Sequence, residues 1–347
     1  MIKRAPPENV NFVRSGRGVT TGMEKLRAAV VGVGYLGNFH VQKYLALDDV
    51  DLVAMVENDP IRRQEIGEKY GVETYSEVED ILDKVDLVSI VVPPQHHFSL
   101  AKSCLQSGIN VLLEKPVTET VGEAEALIAI AKRNDLVLQV GHLERFNPAV
   151  MALKEKVGSP RRIHAERLAP YKARGTEVNV VLDLMIHDID IVLSLVADDI
   201  EEISASGRSV VTGDIDIAHA KIVFSNGCIA ELSASRANQD QVRTMTITEA
   251  QSFVAVDYLN HEMIVGKVDQ DGNIAERTED TFVTKTVVGK DILMTEIKSF
   301  VSAVRHDLQP TVTGEDGKRA LDVAIEVSHA IYASDSVTAP EQWAPEQ

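Results

Sequence analysis

The chain has 347 residues, 44% of them apolar, which is enough for about two globular domains with a sizeable core. Its 53 acidic residues outnumber 35 basic ones, for a formal net charge of −18, and this argues against nucleic acid or an anionic membrane as partner, since both are held through Lys and Arg. No apolar run approaches the ~20 residues that cross a bilayer, and the two cysteines, Cys104 and Cys228, have neither metal-site nor disulfide spacing; read as buried reduced thiols, they fit the cytoplasm.

Residues 1–22 hold Pro6, Pro7, Gly16, Gly18 and Gly22 without an apolar core. They read as a flexible extension, or alternatively as an arm that contacts another subunit. Strands and helices then alternate. Arg27 to Val33 is an apolar strand, and Gly37 to Leu47 a helix. Asp51 to Val56 is the second strand, followed by a polar helix over Ile61 to Tyr70. Leu87 to Val92 is a third strand, stopped by Pro93-Pro94. A helix over Phe98 to Ser107 ends at Gly108. Asn110 to Leu113, Thr120 to Arg133 and Leu136 to Val140 read as strand, helix and strand. The strands are continuously apolar, as strands covered on both faces are. Residues 23–141 are therefore expected to form a doubly wound domain with a parallel sheet.

After Gly141 the pattern changes. Pro148 to Val157 and Val180 to Val196 read as single helices. Glu201 to about Val268 is strand-like, with Ser225-Asn226-Gly227 as a hairpin signal. Amphipathic helices near Ile292 to Val304 and Glu315 to Ala333 follow. Residues 142–335 are expected to be an α+β domain on a mostly antiparallel open sheet, and 336–347 a tail.

Gly32-Val33-Gly34-Tyr35-Leu36-Gly37 matches G-x-G-x-x-G, directly after a strand and at the start of a helix. In that context Gly32 permits the tight turn, Gly34 admits a diphosphate, and Gly37 lets helix and strand pack closely. The loop thus reads as the fingerprint of a Rossmann dinucleotide site. The helix N-terminus, with Tyr35 and Leu36, favours the anion. Glu57, after the second strand, suits the ribose hydroxyls and would repel the 2′-phosphate of NADP, which favours NAD. Arg62 and Arg63 nearby are the residues that would instead hold such a phosphate. Pro93 closes the next strand on the same side.

Two further stretches carry chemistry. Glu114-Lys115-Pro116 follows a parallel strand, at the end where open α/β sheets bind ligands. Asp183 and His187 are four apart on the expected helix and share a face, as a carboxylate and an imidazole would for acid–base work. No metal is expected. The chain resembles the glucose-fructose oxidoreductase, inositol dehydrogenase and rhizopine-catabolism family. GVGYLG, the V-P-x-x-x-H run from Val92 to His97, EKP at Glu114 to Pro116 and D-x-x-x-H at Asp183 to His187 carry the resemblance, in the family's order. It implies NAD-dependent hydride transfer from a sugar or polyol. Lys115 would bridge the nicotinamide and the reacting hydroxyl, His187 would take the hydroxyl proton, and Asp183 would orient His187 or bind the adjacent hydroxyl. His97 and Glu114 would line the nicotinamide side. Which of Lys115 and His187 is the final proton acceptor stays open.

Within the family, Gly141 to Pro148 and Arg174-Gly175-Thr176 are similar to members that oxidise the 3-hydroxyl of UDP-N-acetylglucosamine, ahead of an aminotransferase that makes the 3-amino sugar for lipid A. Arg145, Arg167 and Arg174 are candidates for the two phosphates, and Glu144 and Asn147 for sugar hydroxyls or the acetamido group. Asn147 before Pro148 is equally a helix cap. The alternatives are a dehydrogenase of a free polyol such as inositol, and a dinucleotide-binding regulator without chemistry. An apolar uncovered face on the second sheet would make the protein a homodimer or homotetramer.

Overall fold

The computed structural model describes residues 24–172, 178–260, 262–268, 282–286 and 291–334. Its first half alternates β1 (Leu26–Val31), α1 (Tyr35–Leu45), β2 (Val50–Val56), α2 (Pro60–Tyr70), β3 (Thr74–Tyr75), β4 (Leu87–Ile90), α3 (His97–Gln106), β5 (Asn110–Glu114), α4 (Val121–Asn134) and β6 (Leu138–Gly141). The strands pair in parallel in the order β3-β2-β1-β4-β5-β6. Helices cover both faces, so Ala28, Ala29 and Val30 of β1 are all fully buried, which is why these strands read as unbroken apolar runs. From β1 the chain goes to β2 on one side and then to β4 on the other. That reversal opens a crevice at the carboxyl ends of β1 and β4, where ligands bind in such sheets.

The second half contains α5 (Pro148–Lys156), β7 (Arg162–Leu168), α6 (Ile186–Leu195), β8 (Ile200–Arg208), β9 (Ile217–Phe224), β10 (Ile229–Ser235), β11 (Val242–Thr248), β12 (Ser252–Asp257), β13 (Glu262–Lys267), β14 (Phe282–Thr286), α7 (Ile292–His306) and α8 (Gly314–Tyr332). Eight strands form one sheet, ordered β14-β13-β12-β11-β7-β10-β9-β8. All neighbours are antiparallel except β7 and β10. The expected hairpin lies between β9 and β10, with Gly227 at φ +82° supplying the left-handed residue.

Three features differ from the sequence reading. First, β7 sits inside the second sheet although no strand is legible there. It alternates correctly, with Ile163 and Ala165 buried, but its next inward residue is Arg167, 2% exposed. A buried arginine breaks the apolar alternation that marks a strand. Second, the expected helix over 180–196 opens as a π turn at Val181–Met185, with Ile186 N bonded to Val181 O, before α6 begins. Asn179 caps this turn, its side-chain oxygen accepting from Val181 N at 3.0 Å and Leu182 N at 3.1 Å. Third, the uncovered face of the second sheet is polar rather than apolar. His164, His219, Lys221 and Glu231 are exposed on it, while Ile163, Ala218, Ile222 and Leu232 point to the covered side.

The last two helices return to the first sheet. Ile297 and Phe300 of α7 pack with Val30, Val41, Tyr44 and Leu112. Lys43 pairs with Asp291 at 2.6 Å and Arg305 with Asp49 at 3.3 Å. Just before α8, Val312 O accepts from Val140 N at 3.1 Å. Among the described residues no helix is long and apolar enough to cross a membrane.

Candidate active site

The glycine loop between β1 and α1 is packed so tightly that side chains are excluded. Gly32 has φ +84°, and a Cβ there would lie 2.4 Å from Val91 O; a Cβ on Gly37 would lie 1.9 Å from Gly32 O. At Gly34 the nearest atom to a Cβ would be Arg62 Nη1, at 3.4 Å. Gly34 caps α1 without a side-chain hydrogen bond, and the first turn holds no acid. Its N–H groups and dipole are thus available to an anion. A cleft of about 490 Å³ runs past Gly32, Gly34, Glu57, Arg62, Pro93 and Ser99. Glu57, at the end of β2, accepts from Val33 N at 3.3 Å and Asp59 N at 3.1 Å, which fixes its carboxylate at the cleft edge. Tyr35 is 65% exposed at the start of α1, and Leu36 is half-buried behind it. A bare glycine cradle, a free helix N-terminus and an acid one strand away fit a dinucleotide.

Lys115 reaches from the end of β5 to the π turn. Its Nζ donates to Asp183 O at 2.8 Å and Asp183 Oδ1 at 3.3 Å. The structure therefore pairs Asp183 with Lys115, and His187 Nδ1 is buried with no partner among the described residues. Burial first, and then the charges of Lys115 and Arg167, hold the His187 imidazole well below its usual range. It is neutral near neutral pH, in the form that accepts a proton. His97, 1% exposed, is a pin rather than a lining group. Its ring nitrogens lie 2.8 Å from Pro116 O and 2.9 Å from Val92 O, joining the β4 and β5 loops. Burial lowers its pKa as well. Glu114 turns beneath the loop, its Oε2 accepting from Lys115 N at 3.3 Å.

The polar residues after β6 are used internally. Arg145 forms a buried fork with Asp190, at 2.5 and 2.8 Å. Arg167 does the same with Asp188, at 2.8 and 2.9 Å, and adds Glu144 at 3.0 Å. Guanidinium groups spent this way have no face left for phosphate. Asn147 is the cap of α5, accepting from Ala149 N at 3.0 Å and donating to Glu144 Oε2 at 3.0 Å. Arg174 lies outside the described residues. Sequence reasoning missed Arg243. It lies opposite Arg167 across β11 and β7, its side chain is 36% exposed, and its Nη1 is 3.5 Å from Glu144 Oε1. Only the strand register brings it to the site, so no local signal could have found it. Tyr258 lies in the same group, with its hydroxyl buried and unpaired among the described residues. Among those residues no group of three or more His, Cys, Asp or Glu could hold a metal ion.

A model of an oxidoreductase family with an NAD-binding Rossmann fold matches residues 26–142, and one of the GFO/IDH/MocA C-terminal domain matches residues 152–254. The UDP-N-acetylglucosamine 3-dehydrogenase of Acidithiobacillus ferrooxidans is 36% identical over 315 residues, covering 90% of this chain and 99% of that protein. A solved structure of that enzyme superposes with a TM-score of 0.83 over 90% of this chain and 99% of its own. The myo-inositol 2-dehydrogenase of Thermotoga maritima is 27% identical over 91% of this chain and 99% of that protein.

Proposed function

Since the chain belongs to the GFO/IDH/MocA family of NAD-dependent oxidoreductases, we propose that it oxidises the 3-hydroxyl of UDP-N-acetylglucosamine to a ketone. The observation that carries this reading is the 36% identity to a dehydrogenase of that sugar along 99% of its length. Bound NAD supplies the hydride acceptor. The chain does the rest. Gly34 and the α1 N-terminus take the diphosphate, and Glu57 takes the adenosine ribose. Arg62, whose Nη1 approaches Gly34 at the cleft, would pair with the phosphates. Lys115 and Asp183 hold the sugar hydroxyls in place, and neutral His187 accepts the proton as the C–H bond breaks. Among the described residues of this group, Arg243 is the half-exposed cation available to the substrate's anionic part, because Arg145 and Arg167 are committed to carboxylates.

The ketone is a substrate for an aminotransferase, which places the enzyme ahead of 3-amino sugar synthesis of the lipid A type. The buried free thiols of Cys104 and Cys228 suit the reducing cytoplasm. A homodimer or homotetramer formed through the second sheet would meet there on a polar face rather than on the apolar one expected from sequence. The test is to incubate the pure protein with UDP-N-acetylglucosamine and NAD, with and without 2-oxoglutarate. A sugar product two hydrogens lighter, absent with Lys115→Ala, is expected. No product from this sugar, but turnover of free inositol, would move the reading to the polyol branch that the Thermotoga relative represents.

A further inference from the structure

Lys115 is anchored first of all to the backbone. The shorter of its two contacts, at 2.8 Å, is to the carbonyl oxygen of Asp183, while the carboxylate Oδ1 lies at 3.3 Å. Where the amine points therefore depends on the backbone of the π turn at Val181–Met185. Such turns are rare and gather at functional sites.

Asn179, 3% exposed, holds this turn with its whole amide. Its Oδ1 accepts from Val181 N and Leu182 N. Its Nδ2 donates to Ser328 Oγ at 3.2 Å and to Tyr332 Oη at 3.1 Å, both on α8. Its backbone oxygen accepts from Asp183 N at 3.0 Å. Tyr332 in turn donates to Asp214 Oδ1 at 2.6 Å. Burial, and then this bond to Asp214, push the Tyr332 hydroxyl up, so its proton stays on. Its oxygen is left to accept, and the Asn179 amide has one orientation only. A serine would cap the turn equally well. The two amide donors are needed only if the turn must also be fixed against α8. Around them Val180, Val181, Leu182, Val327 and Ile331 are core residues, and a fully satisfied polar network inside such a core fixes a single geometry. The loop between β8 and β9 braces the same point. Ile215 O accepts from Val180 N at 3.0 Å, and Asp214 Oδ1 accepts from Ile215 N at 2.7 Å. Arg236 N donates to Asp216 O at 3.0 Å while its Nη2 donates to Val178 O at 2.7 Å.

We propose that Asn179, with Tyr332 and Asp214 behind it, is a positioning group for the reaction: it sets the π turn so that Asp183 O aims the Lys115 amine at the reacting hydroxyl. This deepens the dehydrogenase reading and rests on it. The three residues act through Lys115 and not on the substrate. Asp183 contributes its carbonyl as well as its carboxylate, so the backbone of the second half of the chain steers a side chain of the first. An error of about 1 Å in a reacting group costs on the order of 10²-fold in rate, which is the effect expected when the turn loses its tie to α8.

Two variants of the full chain test this. Tyr332→Phe keeps the ring and removes the hydroxyl. Asn179→Ser keeps a capping oxygen and loses the reach to Tyr332. The first readout needs no sugar: with NAD present, each protein is treated with acetic anhydride and the acetylation rate of Lys115 is followed by peptide mass spectrometry, with Lys318 of α8 as internal reference. Lys115 is expected to react about tenfold faster in both variants, the worth of one hydrogen bond to a charged group, while Lys318 keeps its rate. The second readout is turnover of UDP-N-acetylglucosamine, where kcat is expected to fall about 10²-fold with NAD affinity by calorimetry unchanged. A purely structural cap would lower the urea midpoint alone. Parental Lys115 reactivity, or parental kcat, in both variants overturns the proposal whatever their midpoints. If the unmodified protein reduces no NAD with this sugar, the substrate reading fails alone, and the reactivity of Lys115 still decides the role of Asn179.

Discussion

Lys115 Nζ is held by two oxygens of Asp183, so its amine is aimed at the π turn before any substrate arrives. Lys115→Met removes that amine without a large change of volume. It is expected to lower kcat by about 10²-fold, the usual cost of misplacing a reacting group, with NAD affinity by calorimetry unchanged. Arg167 is a different case. Arg167→Leu leaves Asp188 and Glu144 buried without their guanidinium, and about 3–5 kcal/mol of stability is expected to disappear in urea unfolding. Asn147→Ala loses only the cap and one contact to Glu144, at about 1 kcal/mol. Glu296 gives a pH signature. Its folded-state pKa is raised, so its contribution is complete below its unfolded value and is lost as pH rises through the folded one. The Glu296→Gln variant is therefore expected to hold its urea midpoint better than the parent as pH rises. Parallel curves for the two proteins would show that Glu296 does not titrate there.

The elements that place the site were legible wherever one rule governed them. β1, the glycine turn and α1 form a strand, a tight loop and a helix for reasons local to some twenty residues, and Glu57 follows from the same unit. Gly34 and Gly37 look alike in sequence but carry different loads. Gly37→Ala would drive its Cβ to 1.9 Å from Gly32 O, so the turn cannot form and misfolding is expected. Gly34→Ala meets only the end of Arg62, at 3.4 Å. Its stability is expected to change by less than about 0.5 kcal/mol, while NAD binding by calorimetry weakens about tenfold, or 1.4 kcal/mol. What could not be read depends on pairing across long separations. β7 hides because its inward Arg167 is neutralised by Asp188, from α6. Of the arginines read as phosphate ligands, Arg145 and Arg167 have carboxylate partners on α6 that only the folded packing reveals. Asp183 and His187 share a helix by spacing, yet the π turn gives Asp183 to Lys115.

At the scale of the whole molecule, the open face of the second sheet carries His164, His219, Lys221, Glu231 and serines around a shallow depression of about 530 Å³. The homodimer or homotetramer expected from an apolar face here would instead have to meet on these polar groups, in a wet interface. A light-scattering mass of one chain at micromolar concentration would refute it. The other large-scale feature is the return of α7. Its Phe300 and Ile297 fill the α1 side of the first sheet, although some 150 residues of other structure are made in between. Nascent chains usually fold domain by domain as they emerge from the ribosome. Here the cofactor half cannot finish in that way. When β6 has been synthesised, the apolar floor beneath α1 has no cover, and it must wait for nearly the entire second sheet. A fragment cut after β6 should thus aggregate or bind a chaperone, and the enzyme's two halves must mature together.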